Sequence, residues 1–381
     1  ANLREIFTEI EKRIGDPVAL NKFHTAQGKL MKQFAEVDGT TRIPANADIA
    51  RIAANMRAWQ SMSKLGGAVV SSITDIPNYA AELRYQGRGF LSGVGEAIGA
   101  LLSGRPKGEQ LQVLSSLGVF FDHMSGDIGA RFSANDGMGG TMTKLQRGFF
   151  KLNGLTWWTE TLRSSAALSM SHHLAFSNGL AFDKLGALGR TLSLYGIDAN
   201  RWDAIRGAAS KMADGREYLT PDSIRELPDE AFTKVLTAEG RKATPAALRD
   251  IKDEMEGQLR AYIIDRSEYA VIQPGAETRA ILNQGTQRGT AEGELLRFIG
   301  QFKSFPIAMM KRAVGRELYG YGADSVGQIG SQEMVGLANL MLWTTIFGYG
   351  AMSAKDMLKG RTPRDPLSPD TMVAAMMQGG A

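Results

Sequence analysis

The chain has 381 residues, 43% of them hydrophobic and 22% charged, a composition that favours ordered structure and excludes pure disorder. Its 44 basic and 40 acidic residues leave a net charge of only +4, without the dense basic patch of a dedicated nucleic-acid-binding protein. The absence of cysteine excludes disulfides, thiolate metal sites and cysteine nucleophiles.

The first residues, ANLREIFTEIEKRIGDP, are charged and amphipathic, which is unlike a signal peptide. The chain begins without methionine and ends in MMQGGA, so we expect a processed product or a fragment of something longer. Glycine (44 residues) and methionine (18 residues) are abundant, and both suit helices that pack closely or repack between environments.

Helical periodicity dominates the chain, and strand alternation is scarce. Residues 1–36 predict a helix pair broken near Pro17, with Asp16 as the cap of the second helix. A turn over 38–46 follows. Residues 48–65 then predict a helix that carries four large apolar residues on one side: Ile49, Ile52, Met56 and Trp59.

The middle of the chain is rich in glycine and then becomes polar. Two Gly-xxx-Gly spacings, at 89–93 and 95–99, permit close helix contact, although a packed soluble core helix has the same pattern. Residues 109–130 and 142–180 predict helices on either side of a loop at 133–141. In the polar stretch that follows, three prolines mark helix starts: Pro221, Pro228 and Pro245.

These differences in composition and periodicity divide the sequence into five regions. They are N-terminal helices (1–65), a Gly-rich helical core region (66–195), a polar helical subdomain (196–260), an amphipathic basic helix region (261–330), and an apolar helix with a Pro-rich C-terminal segment (331–381).

Catalytic and cofactor motifs are missing from the sequence. It contains no H-E-x-x-H, no serine nucleophile elbow and no phosphate loop, and adjacent His172 and His173 point to different sides of a helix. Asp122, Asp127 and Asp136 lack EF-hand spacing. We therefore predict no enzyme activity in these residues, no cofactor and no metal site.

The segment 294–319 combines an apolar stripe with basic residues. Pro306 removes the backbone bond to the carbonyl of Phe302, so we expect a kink or break there. The stripe either packs on a neighbouring helix or meets a membrane or a sister subunit. Its residues are Leu295, Phe298, Phe302, Phe305 and Met309, and the candidate polyanion or headgroup contacts are Lys303, Lys311, Arg312 and Arg316.

The stretch 334–354 carries no charge and is long enough to cross a bilayer, since roughly 20 residues span the hydrocarbon core. We add Trp343 to the predicted membrane or assembly stripe. Basic residues follow the stretch, so the positive-inside rule would place its C-terminal end in the cytoplasm. In a soluble assembly the same helix would be central and buried.

Four phrases together resemble a region of the large internal virion proteins of short-tailed phages, which are DNA-ejection proteins also carried in many prophages. The phrases are SKLGGAVVSSITDIPNYA (63–80), LNGLTWWTETLRSSAA (152–167), LLRFIGQFKSFPIAMMKR (295–312) and AKDMLKGRTPRDP (354–366). Their order and spacing are also similar, and the resemblance covers residues 50–381. None of them is a catalytic motif.

The resemblance implies a protein stored inside the capsid near the portal, which leaves ahead of the genome and assembles in the host periplasm and envelope as a conduit. It also implies its partners: further copies of the chain, other ejection and portal proteins, the host membrane, and phage double-stranded DNA held without sequence preference. Some relatives carry a lytic transglycosylase domain. No segment here matches the context of its catalytic glutamate, so that activity is not carried over.

We therefore expect an all-α fold with little or no β structure, arranged as an extended multi-helix array that forms an oligomeric tube or ring. Two alternatives stay open. The chain is a soluble virion core or scaffold protein without membrane contact, or it is the non-catalytic part of a larger peptidoglycan-degrading virion protein.

Overall fold

The computed structural model describes residues 3–65, 68–119, 141–211, 215–323 and 325–379. Over these residues the chain is all-α, which confirms the fold class predicted from periodicity. The exception within the described residues is a short antiparallel hairpin, in which Ala209–Lys211 pairs with Glu217–Leu219.

The longer α-helices span Leu3–Arg13, Pro17–Val37, Ala47–Lys64, Asp75–Tyr85, Phe90–Ser103, Thr141–Leu152, Leu155–Phe176, Asp229–Ala238, Pro245–Ala270, Ala291–Gly300, Ser331–Leu358 and Pro369–Gly379. Shorter α-helices span Ala68–Ser71, Glu109–Ser116, Ala187–Ser193, Ala199–Ile205, Ala276–Asn283, Ser304–Ala308 and Gly315–Tyr319. Met309–Val314 is a π-helix, and single 3-10 turns occur at Thr40–Arg42, Ser72–Thr74, Phe182–Lys184, Asp222–Ile224 and Val326–Gln328.

Capping residues set several helix starts where the sequence predicts them. The Asp16 carboxylate accepts hydrogen bonds from the backbone N–H groups of Val18 (3.3 Å) and Ala19 (2.9 Å), so the break near Pro17 is confirmed. Thr244 caps the helix that Pro245 opens, with its hydroxyl accepting from the Ala247 N–H at 3.2 Å.

The segment 294–319 is interrupted, as expected from Pro306. The helix Ala291–Gly300 ends in a turn at 301–303, closed by a 2.9 Å hydrogen bond from the Lys303 N–H to the Gly300 carbonyl. Pro306 explains the position of this break, because its ring displaces the carbonyl four residues earlier, that of Phe302.

Two other predicted elements lie partly outside the described residues. The described part of the predicted 109–130 helix ends at Ser116, and Gly118 follows with a φ of +76°. Residues 120–130, and residues 133–140 of the predicted loop, are outside the described part of the chain. The 142–180 stretch contains two helices separated at Gly154, whose φ is +81°.

Contacts divide the chain into two units, each made from separate stretches. Among the described residues, unit 1 contains 3–65, 141–149 and 273–308, and unit 2 contains the rest. The sequence regions 66–195 and 261–330 therefore each contribute to both units.

The interior of unit 1 is small and polar. The helix Ala47–Lys64 buries alanines together with Arg57 and Ser61. The Arg57 guanidinium pairs with Glu294 on the helix Ala291–Gly300 at 2.6 Å. The Gln301 amide donates to the Arg57 carbonyl (2.7 Å) and to the Ser61 hydroxyl (2.8 Å). Polar bonds therefore join these two helices where a typical helix pair uses leucine or isoleucine.

Unit 2 contains the apolar core. Its centre is formed by the helices Asp75–Tyr85, Leu155–Phe176 and Pro245–Ala270 with the shorter helices around them. At Gly93 an added Cβ would lie 2.8 Å from the Cα of Ala80, so the first Gly-xxx-Gly pair does contain a close helix contact. The largest fully buried side chains of this core include Trp202, Tyr79, Tyr262, Phe232, Leu83 and Leu114.

A buried ionic network crosses the core of unit 2. The Glu82 carboxylate accepts from Arg266 Nε at 2.7 Å, from Arg316 Nη1 at 3.1 Å and from the Gln86 amide at 2.7 Å. The Glu317 carboxylate accepts from Arg316 and Arg84. Burial has the largest single effect on the Arg266 guanidinium and would lower its pKa, but the Glu82 carboxylate together with Tyr195 and Tyr85 raises that pKa overall.

We expect Glu82→Leu to destabilise the protein by about 3–5 kcal/mol, because it leaves the buried Arg266 guanidinium without its carboxylate. The measurement is the free energy of unfolding from urea titration. The control is Glu9→Gln, which removes an exposed pair with Arg13 and should cost about 0–1 kcal/mol. Equal effects of the two substitutions would contradict a stabilising role for the network.

His173 makes stability depend on pH. Burial, followed by the charges of Arg88 and His172, lowers the pKa of this imidazole from 6.5 to about 4. Between these values the unfolded chain binds a proton that the folded chain does not, so stability is complete above pH 6.5 and falls on acidification towards pH 4. We expect His173→Gln to flatten this part of the stability profile, whereas His24→Gln at an exposed site keeps it. Superimposable profiles for wild type and His173→Gln would rule the effect out.

Candidate functional site

The structure divides the predicted stripe between the two units. Leu295, Phe298, Phe302 and Phe305 belong to unit 1, whereas Met309 and Trp343 belong to unit 2. Leu295 is 60% exposed and Met309 is buried, while the other four side chains are half-buried. The break at 301–303 interrupts the helical periodicity on which the stripe depended, and the boundary between the units follows Ala308.

Two phenylalanine rings of the predicted stripe make cation–π contacts within unit 1. The Arg57 guanidinium lies 4.9 Å from the centre of the Phe298 ring, and Lys64 Nζ lies 5.1 Å from that of Phe302. In unit 2, Trp343 packs on Phe90 with ring centres 5.6 Å apart. These aromatic side chains therefore act in packing in this conformation.

The predicted basic contacts also differ in availability. Lys303 and Lys311 are exposed. Arg312 pairs with Glu268 at 3.1 Å and covers the Tyr269 ring, and Arg316 is buried in the network around Glu82. Arg312 and Arg316 would have to break half-buried or buried ion pairs to reach a polyanion, whereas both lysines of the predicted set are exposed.

Large apolar side chains face outward on the helix Ala47–Lys64. The four residues that the sequence places on one side of this helix are 49–66% exposed: Ile49, Ile52, Met56 and Trp59. Their steps of three, four and three residues match the a and d positions of a heptad. We call these four residues the heptad face. The opposite side of the helix holds the alanines and Arg57. The helix therefore buries its small and polar residues and exposes its large apolar ones, which is the reverse of the usual arrangement.

The helix Ser331–Leu358 shows the same inversion. Within the described residues it is one helix that is long and apolar enough to cross a membrane, and only 28% of its apolar window is buried. Its buried side is mostly small or polar: Gly336, Leu340, Thr344, Gly348, Ala351, Met352 and Asp356. Its outward side is large and apolar: Met334, Val335, Leu342, Ile346, Met357 and Leu358.

Glycine allows this helix to pack very closely on the helix Pro369–Gly379. A Cβ at Gly348 would lie 2.2 Å from the Ala375 carbonyl oxygen, and a Cβ at Gly379 would lie 2.4 Å from the Thr344 carbonyl oxygen. Each helix contributes small residues four positions apart, a pattern that membrane helices also use. We call this pair of helices the C-terminal hairpin. Its outward side continues over Met372, Val373 and Met377.

A polar cavity of about 540 Å³ lies in unit 2 beside Arg88, Glu96 and His172. Arg88 and Glu96 pair at 2.8 Å, and the Tyr79 hydroxyl donates to Glu96 at 2.8 Å. Burial, and then the Glu96 carboxylate, raises the pKa of Tyr79. Arg88, Glu96 and Tyr79 are therefore ion-pair or hydrogen-bond partners of one another. Across the described residues, no three His, Asp or Glu side chains are grouped in a way that could hold a metal ion.

The outward direction of the heptad face is the feature that the sequence analysis did not identify. It placed Ile49, Ile52, Met56 and Trp59 together, but periodicity does not give the direction in which a face points. The alanines on the opposite side were the available signal, since close helix contact requires small residues.

Comparison with protein-family models, with curated proteins and with solved structures returns no match for this chain.

Proposed function

We propose that this chain is a structural subunit of the DNA-ejection apparatus of a short-tailed phage, which assembles into a helical conduit for the genome across the host cell envelope. The observation that carries the proposal is the outward position of the heptad face and of the apolar side of the C-terminal hairpin. The resemblance of four sequence phrases to phage ejection proteins supplies the biological context.

Outward apolar faces favour assembly. Covering one Ile, Met or Trp side chain contributes roughly 1.5–3 kcal/mol, and monomeric proteins seldom expose contiguous apolar patches of more than a few hundred Å². The heptad spacing suits pairing with a helix of a sister subunit. The membrane is the second expected partner, because the hairpin combines a long apolar helix with a largely uncovered side.

The remaining partners follow from the proposal. Phage double-stranded DNA would pass through the assembly and make non-specific phosphate contacts with exposed lysines such as Lys303 and Lys311. Other ejection and portal proteins would lie beside the chain in the capsid interior, before it moves to the periplasm and envelope of the host.

One observation favours a second function, that of a soluble virion core or scaffold protein. Unit 2 buries a full apolar core and an ionic network within one chain, so it does not need lipid to fold. Electron microscopy of the purified assembly separates the two functions. Rings with a lumen wide enough for duplex DNA support the conduit, and discrete monomers at every concentration contradict it.

We expect Ile52→Asp combined with Trp59→Asp to abolish self-association, because both side chains lie on the heptad face and a buried aspartate there would be unpaired. The measurement is molar mass by light scattering across a concentration series. Helix content should not change, since neither side chain is buried. The control is Leu152→Asp combined with Leu194→Asp, which alters two exposed leucines outside that face. Assembly that survives the first pair would exclude the heptad face as an interface.

Charge reversal at Lys303 and Lys311 should weaken duplex DNA binding and reduce its salt dependence by about 0.9 per lost phosphate contact. Fluorescence anisotropy at several salt concentrations measures both effects. Lys22→Glu with Lys29→Glu, on a different helix, makes the same change in net charge and serves as the control. Equal losses in the two double variants would mean that net charge alone determines binding. Arg312 is not reversed here, because its ion pair with Glu268 would be lost.

A further inference from the structure

A basic cavity of about 410 Å³ lies at one end of the C-terminal hairpin. Both helices and the segment between them contribute to its lining. The lining residues that matter here are three cations, one carboxylate and two methionines: Lys355, Lys359, Arg364, Asp356, Met352 and Met377.

The cavity has more positive than negative charge. Asp356 is its carboxylate, and Arg364 Nε lies 3.2 Å from the Asp356 Oδ2. Lys355 Nζ donates to neutral oxygens, those of Ser71 Oγ at 2.6 Å and Gln378 Oε1 at 3.2 Å. Lys359 is exposed and makes no ion pair within the described part of the chain. Two lysine charges therefore lack a compensating anion within the cavity.

The lining of this basic cavity includes apolar side chains. Met352 and Met377 line it, and Met377 is 73% exposed. A concave basic site beside outward apolar surface matches the two parts of a phospholipid, an anionic headgroup and its acyl chains.

We propose that this cavity binds the phosphodiester headgroup of an anionic phospholipid, with Lys355, Lys359 and Arg364 as the cationic contacts. The exposed Met377 side chain at the cavity would contact the acyl chains. This inference rests on the proposed function in one respect, since it assumes that the hairpin meets a membrane. It adds the lipid class that the hairpin recognises and the residues that recognise it.

A lipid fits these observations better than duplex DNA. The cavity has room for one headgroup, and its three cations converge on it instead of following a line of phosphates. The exposed Met377 side chain at the cavity would stay in water against DNA, whereas acyl chains would cover it.

The test is flotation of the full-length chain with vesicles of phosphatidylcholine alone, or of phosphatidylcholine mixed with phosphatidylglycerol. We expect Lys355→Gln combined with Lys359→Gln to lose about tenfold or more in affinity for the mixed vesicles, and to bind neutral vesicles like the wild type. The control is Arg361→Gln, matched in charge to Lys359→Gln alone; it removes an exposed cation of the same segment that does not line the cavity and should change affinity less than twofold.

Lys359→Gln alone provides a second variant in case the double variant folds poorly, because Lys359 is exposed. An equal loss with Arg361→Gln would overturn the site in favour of general surface charge. Two further measurements distinguish a lipid from other anionic ligands: calorimetry with inorganic phosphate and gel-shift with duplex DNA. Phosphate binding as tight as vesicle binding, or a tenfold loss of DNA binding in the double variant, would overturn the lipid assignment.

The outcomes also distinguish this inference from the proposed function. Wild-type chain that binds neutral and mixed vesicles equally, with no change in the variants, overturns the headgroup site and leaves membrane contact intact. Wild-type chain that binds neither vesicle overturns membrane contact and the headgroup site together.

Discussion

Close packing through small and charged residues is the constraint on which the rest of this structure depends. Where Gly348 and Gly379 bring two backbones together, no space remains between the helices for a large side chain. In unit 1 the Arg57–Glu294 pair and the surrounding alanines occupy the equivalent position. The helices that pack in this way each have one buried side, which is filled by small and charged residues. Their large apolar residues must therefore lie on the other side. Outward apolar faces are therefore a direct consequence of how these helices pack.

The core of unit 2 shows that the chain is able to make an ordinary apolar core, so the inversion is specific to the helix Ala47–Lys64 of unit 1 and to the C-terminal hairpin of unit 2. Around Tyr79 and Leu259 the large side chains are completely buried, and Glu82 holds Arg266 and Arg316 among them. A buried ionic network is weak support for stability as such, since desolvation of the charges offsets much of their attraction. A packing that separated Glu82 from Arg266 and Arg316 would leave buried charges unpaired, so the network disfavours such alternatives.

Local rules made much of the fold predictable from the sequence. Asp16 and Pro17 locate a helix start, and Pro306 locates a break, because caps and prolines act through backbone groups a few residues away. The burial of Arg316 was not predictable in this way. Its partner Glu82 is 234 positions away in the chain, and an arginine on a basic helix has the same local sequence whether it faces water or a carboxylate. The direction of the heptad face was hidden for the same reason, since it depends on which neighbour supplies the contact.

The two outward faces differ in chemistry, and this difference separates their proposed partners. The heptad face lies on a helix whose buried side is fixed by the Arg57–Glu294 pair, which keeps Ile52 and Trp59 outward in any complex that preserves unit 1. Its a and d spacing suits another helix. The hairpin has glycine contacts inside, a broad apolar exterior and a basic cavity at one end. A sister subunit would cover that exterior, whereas an anionic lipid would cover it and also neutralise the lysine charges of the cavity. Assembly through the first face and lipid contact through the second can therefore occur in the same chain without competing for the same surface.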